Sequence, residues 1–359
     1  MLPDGENACR LQDRIEYALP FGILGRLLGA KLVRRKLERV FEYRHRLTVQ
    51  DIPAHVEAEQ TMKILVTGSH GLIGSALIPF LTTGGHDVLR LVRNPNPASD
   101  AICWDPQAGV IENDQLEGLD AVVHLAGENI ASRRWNVSQK ERIRESRVRG
   151  TRVLSESIAK LNNPPKVLVC ASAVGYFGDR GDEELGEQSE PGCGFLADVC
   201  RDWEAAAGPA REKGIRVVNL RFGVILSSTG GALAKMLLPF KLGLGGVVGS
   251  GKQYWSWIAL DDVLGAIRHV ISHGDLNGPV NCVSPNPSTN REFTRILGRV
   301  LKRPTLFPLP AFAARLVLGE MAHELLLAST RVVPKQLQAS GYRFRFEELE
   351  WALRHTLGR

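Results

Sequence analysis

The sequence predicts an α/β fold: a doubly wound parallel sheet, a smaller C-terminal α/β substrate lobe and an N-terminal strand-helix extension. Between residues 62 and about 230, short apolar runs of strand length alternate with longer amphipathic runs, which is typical of a parallel sheet covered by helices on both faces. The first apolar run, Lys63 to Thr67, leads directly into glycines at 68, 71 and 74. This order predicts a strand, a tight turn and a helix in succession.

The same patterns predict the individual elements. We expect strands over 63–67, 87–92, 121–125, 166–171 and 216–221. We expect helices over 72–83, 138–160, 196–213, 261–271, 290–301 and 346–357. Three regions follow from this alternation: an N-terminal extension over 1–60, a sheet domain over 62–230 and a C-terminal lobe over 231–359.

The N-terminal extension has too few elements for a core of its own. Arg10 to Ala18 is a strand-like run, and a helix is predicted over 23–43, where apolar residues recur at helical spacing among Lys and Arg. One strand and one helix cannot enclose a core. Packing of the apolar stripe on protein is favoured over an anionic membrane surface, the other surface that a basic amphipathic helix can bind.

Composition excludes several classes of protein. The net charge of +6 is mild for 359 residues and does not indicate nucleic-acid binding. No apolar run approaches the roughly 20 residues of a membrane span, and the first twelve residues do not resemble a signal peptide, so a cytoplasmic location is expected. The six cysteines are scattered without histidine partners, and we therefore expect neither a metal site nor disulfides.

The glycine-rich turn is the strongest functional signal. Its glycines would let the backbone approach a ligand closely, and the following helix would direct its first N–H groups at a pyrophosphate. A second strand follows at the spacing of one βαβ unit. The turn is therefore predicted to bind a dinucleotide through Gly68, Ser69, His70, Gly71, Leu72, Ile73 and Gly74.

Several further motifs occur in order along the chain. They are His124-Leu-Ala-Gly127, Ala171-Ser172-Ala-Val-Gly-Tyr176, Trp203-Glu204, Leu220-Arg-Phe-Gly223 and Ser256-Trp-Ile-Ala-Leu-Asp261. With them the chain resembles the extended short-chain dehydrogenase/reductase superfamily, specifically its epimerase-like branch, over about 62 to 355. The resemblance implies a Rossmann domain over 62–230, a nicotinamide cofactor and cofactor contacts at Leu125, Ala126 and Gly127. Residues 10–50 resemble the tail of a START-like ligand-binding domain, which implies a fused or associated domain of that kind.

The end of the second strand predicts which cofactor is preferred. NAD-dependent enzymes place an acidic residue there, which accepts hydrogen bonds from the ribose 2′-hydroxyl. This chain instead has Arg93 and then Asn94. Arg93 could bind a 2′-phosphate, so NADP(H) is the predicted cofactor. Asp105 resembles a residue that touches adenine, and a turn-forming role before Pro106 explains it equally well.

The catalytic positions depart from the superfamily pattern. Its members use a Tyr-x-x-x-Lys pair with a nearby serine, and the resemblance places Ser172 at the serine position. Alignment on Glu204 puts Leu196 and Cys200 where the tyrosine and lysine should be. Arg147 replaces an asparagine of the preceding helix. Tyr176, beside Ser172, is one candidate to compensate, although it is more often a residue of the pocket wall. The other candidates are Arg147, Glu204 and Asp198, which are more often helix charges, and Cys200, which would need to be exposed with a lowered pKa.

The segments that resemble substrate loops are also open to two interpretations. Their candidate ligand contacts are Lys235, Lys241, Gln253, Tyr254, Trp255 and Trp257. Aromatic residues there suit a sugar-like ligand, but tryptophans at alternate positions are more often part of a core.

Two hypotheses about function follow. The first is an NADP(H)-binding, epimerase-like oxidoreductase acting on a small carbonyl or sugar-like substrate. Its catalytic residues would be Ser172, which orients the substrate, and Tyr176, which relays the proton unless a water does so. The second is a non-catalytic NADP(H)-dependent binding or regulatory protein, for example in cell division, which has kept the dinucleotide site and lost the catalytic pair.

Overall fold

The computed structural model describes residues 2–3, 9–10, 12–20, 22–56, 60–93, 101–111 and 115–359. The chain forms two compact units, residues 1–53 and residues 54–357. The second unit contains both the predicted sheet domain and the predicted C-terminal lobe.

The first unit contains a two-stranded ribbon and most of one long helix. Strands β1 (Leu2–Pro3) and β2 (Cys9–Arg10) pair antiparallel, and helix α1 spans Gly22–Val56. The predicted strand over Arg10 to Ala18 is wrong for residues 12–18, which form no strand. The predicted helix is present and extends beyond residue 43.

The strands of the second unit form one large sheet and several two-stranded pairs. These strands are β3 (Lys63–Thr67), β4 (Asp87–Val92), β5 (Ala101–Asp105), β6 (Val110–Ile111), β7 (Ala121–His124), β8 (Val167–Ala173), β9 (Glu184–Leu185), β10 (Arg216–Phe222), β11 (Val224–Leu226), β12 (Tyr254–Trp255), β13 (Trp257–Ala259), β14 (Gly278–Cys282), β15 (Ser288–Thr289) and β16 (Arg331–Val332). The large sheet has the order β14-β10-β8-β7-β3-β4-β5-β6. All its neighbouring pairs are parallel except β5 and β6.

Helices cover both faces of this sheet, as predicted. The helices that follow α1 along the chain are α2 (Leu72–Thr83), α3 (Val137–Ala159), α4 (Phe195–Ala205), α5 (Gly208–Glu212), α6 (Gly231–Lys241), α7 (Leu260–Ser272), α8 (Asn290–Leu301), α9 (Ala311–Leu318), α10 (Glu320–Ala322), α11 (Lys335–Ala339) and α12 (Leu349–Thr356). Ile64 and Val66 of β3 pack with α2 and α7, whereas Leu65 packs with α3 on the opposite face. This alternation along a strand buries both faces, and the predicted doubly wound α/β class is confirmed.

Most predicted elements lie within two residues of the observed ones. The predicted helix over 196–213 is instead two helices, α4 and α5, and Pro209 lies in the first turn of the second one, where proline is tolerated. Helix α12 starts at Leu349 rather than at residue 346. The backbone N–H of Phe346 instead donates to Oδ2 of Asp262 at 3.1 Å. That carboxyl is buried, and burial raises its pKa to about 7.

The C-terminal lobe has its own apolar core, which settles the role of two tryptophans. Trp255 is 6% exposed and Trp257 is 0% exposed, and both pack with α6, α8 and α12. The core interpretation of these side chains is therefore confirmed. Within the described part of the chain, no helix combines the length and the apolar character that crossing a membrane requires.

Candidate dinucleotide site

The glycine turn between β3 and α2 is packed too closely to admit larger residues at two positions. Gly68 has φ of +67°, and a methyl group placed on it would lie 2.7 Å from the carbonyl carbon of Leu125. A methyl group on Gly74 would lie 2.3 Å from the carbonyl oxygen of Gly68. The turn therefore brings its backbone, the start of α2 and the loop after β7 together. This close approach of backbone at a helix N-terminus fits a pyrophosphate.

The other predicted residues of this turn surround the start of α2. Gly71 is the N-cap, and its N–H donates to the carbonyl oxygen of Gly68 at 2.9 Å. Ser69 is buried, with its hydroxyl 3.3 Å from Nδ1 of His70. The Leu72 side chain lies against Gly230, and Ile73 packs on the sheet core. The first N–H groups of α2 have no partner within the helix and can bind an anion.

A buried hydrogen-bond cluster fixes the loop after β7 next to the turn. The hydroxyl oxygen of Thr67 accepts the N–H groups of Leu125 and Ala126, both at 3.1 Å. Its proton is then free to donate to Nδ1 of His124, 2.8 Å away. Burial lowers the pKa of His124 to about 4, so the ring is neutral. The predicted contacts at 125–127 and 68–74 are thus brought together.

Neither Thr67 nor His124 was singled out as a site residue by sequence reasoning. One signal was available: each ends a strand, and β3 and β7 are parallel neighbours, so their carboxyl ends meet at one sheet edge.

The two residues predicted for the adenosine side lie at the ends of β4 and β5. Arg93 follows β4 directly and is exposed. Asp105 ends β5 and is also exposed, and its Oδ1 accepts the N–H groups of Gln107 and Ala108 at 2.8 and 3.0 Å. Asp105 therefore forms the turn of the β5–β6 hairpin. Its contact with adenine stays a prediction.

Ser172 belongs to a buried ion-pair network at the end of β8. Its hydroxyl donates to Oε1 of Glu204 at 2.7 Å. Arg221 donates to both oxygens of the same carboxylate at 2.8 Å, and its register partner on β8 is Ser172. The side chains of Arg221 and Glu204 are 3% and 13% exposed. Glu204 therefore joins α4 to two neighbouring strands, and the catalytic role of Ser172 stays a prediction.

Tyr176 lies in the 3₁₀ turn Val174–Phe177, directly after β8. The Arg221 guanidinium carbon lies 3.5 Å from the centroid of its ring, a cation–π contact that holds the ring in place. The side chain is half-buried, and its hydroxyl makes no hydrogen bond to the part of the chain that the structure describes. Tyr176 thus keeps a polar group that could meet a substrate.

The residues at the usual tyrosine and lysine positions are buried and unreactive. Leu196 is 8% exposed, and its Cβ lies 3.2 Å from a methyl group placed on Gly175. Cys200 is 3% exposed, and burial raises the pKa of its thiol to about 12, so it stays protonated. The start of this helix is capped from the C-terminal lobe, because Leu196 N–H donates to Oε2 of Glu324 at 3.3 Å.

Comparison with known proteins identifies the family. The family described as NAD dependent epimerase/dehydratase matches residues 64–282, well over half of the chain. The chain belongs to this family. Residues 309–356 match a domain of unknown function, DUF1731. The predicted resemblance to the epimerase-like branch is therefore confirmed.

Relatives in this family include bacterial and mammalian proteins. An epimerase family protein of Mycobacterium bovis is 43% identical over 296 residues, covering 82% of this chain and 98% of that protein. Human epimerase family protein SDR39U1 is 38% identical over 299 residues, covering 82% of this chain and all of that protein.

Two solved structures are similar as well. Human SDR39U1 (isoform 2) with NADPH has a TM-score of 0.76 at 37% identity, covering 82% of this chain and 99% of that one. A nucleoside-diphosphate sugar epimerase of Corynebacterium glutamicum has a TM-score of 0.75 at 38% identity. That match covers 89% of this chain and 64% of the other.

Proposed function

We propose that this chain binds NADP(H) at the carboxyl ends of its parallel strands and reduces or oxidises a small carbonyl or sugar-like substrate. The observation that carries the proposal is the close packing of the glycine turn, where Gly68 and Gly74 have no room for a side chain. The NADPH in the human relative's structure supports the choice of cofactor. The family fold supports binding at this sheet edge, since ligands of open α/β sheets bind outside the carboxyl ends of the strands.

The first prediction concerns the preference between the two cofactors. Arg93 is the exposed residue that directly follows β4, where an acidic residue would select NAD. A charge-assisted hydrogen bond contributes about 1.5–3 kcal/mol. We therefore expect NADPH to bind at least about tenfold more tightly than NADH, and Arg93→Ala to remove most of that preference. Isothermal titration calorimetry with both cofactors measures it.

A matched control, Lys166→Ala, removes one positive charge at the amino ends of the strands, away from the carboxyl ends where Arg93 lies. Lys166 precedes β8, and its side chain is 85% exposed. We expect Lys166→Ala to leave both affinities unchanged. Equal binding of NADPH and NADH by the wild type, or an undiminished preference in Arg93→Ala, would show that Arg93 does not contact the 2′-phosphate.

The proposed chemistry assigns distinct tasks to Tyr176 and Ser172. NADPH, when bound, would supply the hydride, and Tyr176 would donate the proton to the substrate oxygen through its hydroxyl, which has no hydrogen-bond partner among the described residues. The Ser172 hydroxyl donates a hydrogen bond to Glu204, so Ser172 acts as a positioning residue through Glu204 and Arg221, and Arg221 in turn orients the Tyr176 ring. The apolar Leu196 and the protonated Cys200 take no part in proton transfer.

The second prediction concerns turnover. A positioned acid or base contributes about 10²–10⁴ to the rate, so Tyr176→Phe should lower NADPH oxidation by that factor, with NADPH affinity unchanged. The assay measures NADPH absorbance against a panel of carbonyl compounds and nucleotide sugars. Activity on nucleotide sugars should be low or absent, because apolar Leu196 and the buried, protonated thiol of Cys200 replace the tyrosine and lysine of the catalytic pair. Undiminished turnover by Tyr176→Phe on an accepted substrate would contradict the assignment.

One observation favours a second function, that of a non-catalytic NADP(H)-dependent regulatory protein. Leu196 and Cys200 are buried and inert where the family's catalytic pair is expected. Tight NADPH binding without oxidation of NADPH by any compound of the panel would favour this second function. The further proposal that residues 10–50 are the tail of a START-like domain, fused to or associated with this chain, is compatible with either role.

A further inference from the structure

Arg147 on α3 has hydrogen-bond donors that find no partner in the described part of the chain. Its Nη1 donates to the carbonyl oxygens of Glu128 and Ile143 at 3.0 and 3.1 Å. Its Nε and Nη2 make no hydrogen bond within the described residues, and no described carboxylate forms an ion pair with it. Burial lowers the pKa of Arg147, but a guanidinium remains charged in proteins at neutral pH. A half-buried cation with spare donors is costly unless something else pairs with it.

The position of this guanidinium is fixed from two sides. Its central carbon lies 5.0 Å from the ring centroid of Trp203, a cation–π contact. A methyl group placed on Gly127 would lie 3.4 Å from the same carbon. Arg147 therefore lies directly against the loop that Thr67 holds beside the glycine turn.

The strand order shows which half of a dinucleotide would pass Arg147. Strand β3, with the glycine turn, lies between β4 and β7. If Arg93 at the end of β4 binds the 2′-phosphate, the adenosine half lies on that side of the turn. The other half must then extend over β7 and β8, past Gly127. This step rests on the function proposed above.

We propose that Arg147 binds the nicotinamide half of the cofactor, donating from Nε and Nη2 to oxygens of that half's ribose and phosphate. These oxygens are hydrogen-bond acceptors, and a phosphate also carries the negative charge that a guanidinium fork matches. Arg93 and Arg147 would then bind opposite ends of the same ligand. Their substitution should have separable effects on ligand fragments.

The test measures by calorimetry how tightly the full chain binds three ligands. The first is NADPH, and the second is 2′-phospho-ADP-ribose, which differs from it by lacking the nicotinamide ring. The third is adenosine 2′,5′-bisphosphate, which also lacks the second phosphate and the ribose attached to it. Arg147→Met keeps much of the side-chain volume and removes the charge. We expect it to weaken NADPH and 2′-phospho-ADP-ribose by about tenfold and to leave adenosine 2′,5′-bisphosphate unchanged. Arg93→Ala should weaken all three.

Two further variants keep the test decisive. Arg147→Lys keeps the positive charge but not the forked guanidinium, so its affinity for NADPH should fall by about threefold. This variant allows the test to be made if Arg147→Met does not fold. Arg144→Met is the matched control on the same helix, because Arg144 pairs with Asp202 at the surface, and its affinities should not change.

Several results would overturn the proposal. The proposal is wrong if both Arg147 variants bind NADPH as tightly as the wild type. It is also wrong if the Arg147 variants lose the same affinity for all three ligands, because that would indicate a general structural effect. A wild-type protein that binds no NADPH would overturn the proposed function as well. The two failures are therefore distinguishable.

Discussion

Arg221→Met is expected to lower the free energy of unfolding by about 3–5 kcal/mol, the usual cost of leaving one partner of a buried ion pair uncompensated. Arg221 binds both oxygens of Glu204, and these side chains are 3% and 13% exposed. Its Nη1 also donates to the carbonyl oxygen of Glu187 at 3.2 Å. The substitution would leave the Glu204 carboxylate beside Ser172 without a counter-charge. Urea denaturation with linear extrapolation measures the loss.

A double variant separates the charge effect from packing. Replacing both partners of a buried pair by apolar residues is often neutral or stabilising, so Arg221→Met with Glu204→Leu should be more stable than Arg221→Met alone. The control is Arg201→Met, because Arg201 pairs with Asp198 at the surface of the same helix, at 51% and 47% exposure. Exposed pairs contribute about 0–1 kcal/mol. A loss below about 1 kcal/mol in Arg221→Met would show that this pair does not hold the strand ends together.

The secondary structure could be predicted wherever a segment's own sequence contains the hydrophobic periodicity and the end signals of a helix or strand. Helix α2 lies at its predicted bounds, 72–83, because its apolar face and its flanking glycines are local signals. Strand β14 was missed, since five residues that include a glycine and Pro279 do not read as a strand. It is the edge strand of the sheet, and proline is tolerated at an edge.

The candidate site could be predicted only in part, because some of its contacts join residues that are far apart in the sequence. The turn at 68–74 and the loop at 125–127 both follow parallel strands, so the strand pattern alone places them together at the carboxyl ends of the sheet strands. The partners of Ser172 could not be read from the sequence. They depend on the register that sets Arg221 opposite Ser172, and on the helix rotation that turns Glu204 inward. The same holds for Glu324, which caps α4 from more than a hundred residues away.

The second large effect is expected from Gly74→Ala, which should weaken NADPH binding by at least about a hundredfold, or about 2.7 kcal/mol. The added methyl group would lie 2.3 Å from the Gly68 carbonyl oxygen and 2.9 Å from Cα of Ser69. Both contacts are with backbone, so rotation of a side chain cannot relieve them. Either the turn or the start of α2 must move. Fluorescence titration with NADPH, together with a thermal melt, measures the two consequences.

The expected loss is specific to the site, because overpacking at a single position costs the fold only about 1–3 kcal/mol. Gly74→Ala should therefore still unfold cooperatively while its affinity for NADPH falls. Ser75→Ala is the matched control, since Ser75 is the next residue of α2 and its side chain is exposed. We expect its affinity to equal that of the wild type. Binding of NADPH by Gly74→Ala within about threefold of the wild type would mean that the pyrophosphate does not rest on this turn, because a displaced turn could not present the same N–H groups to it.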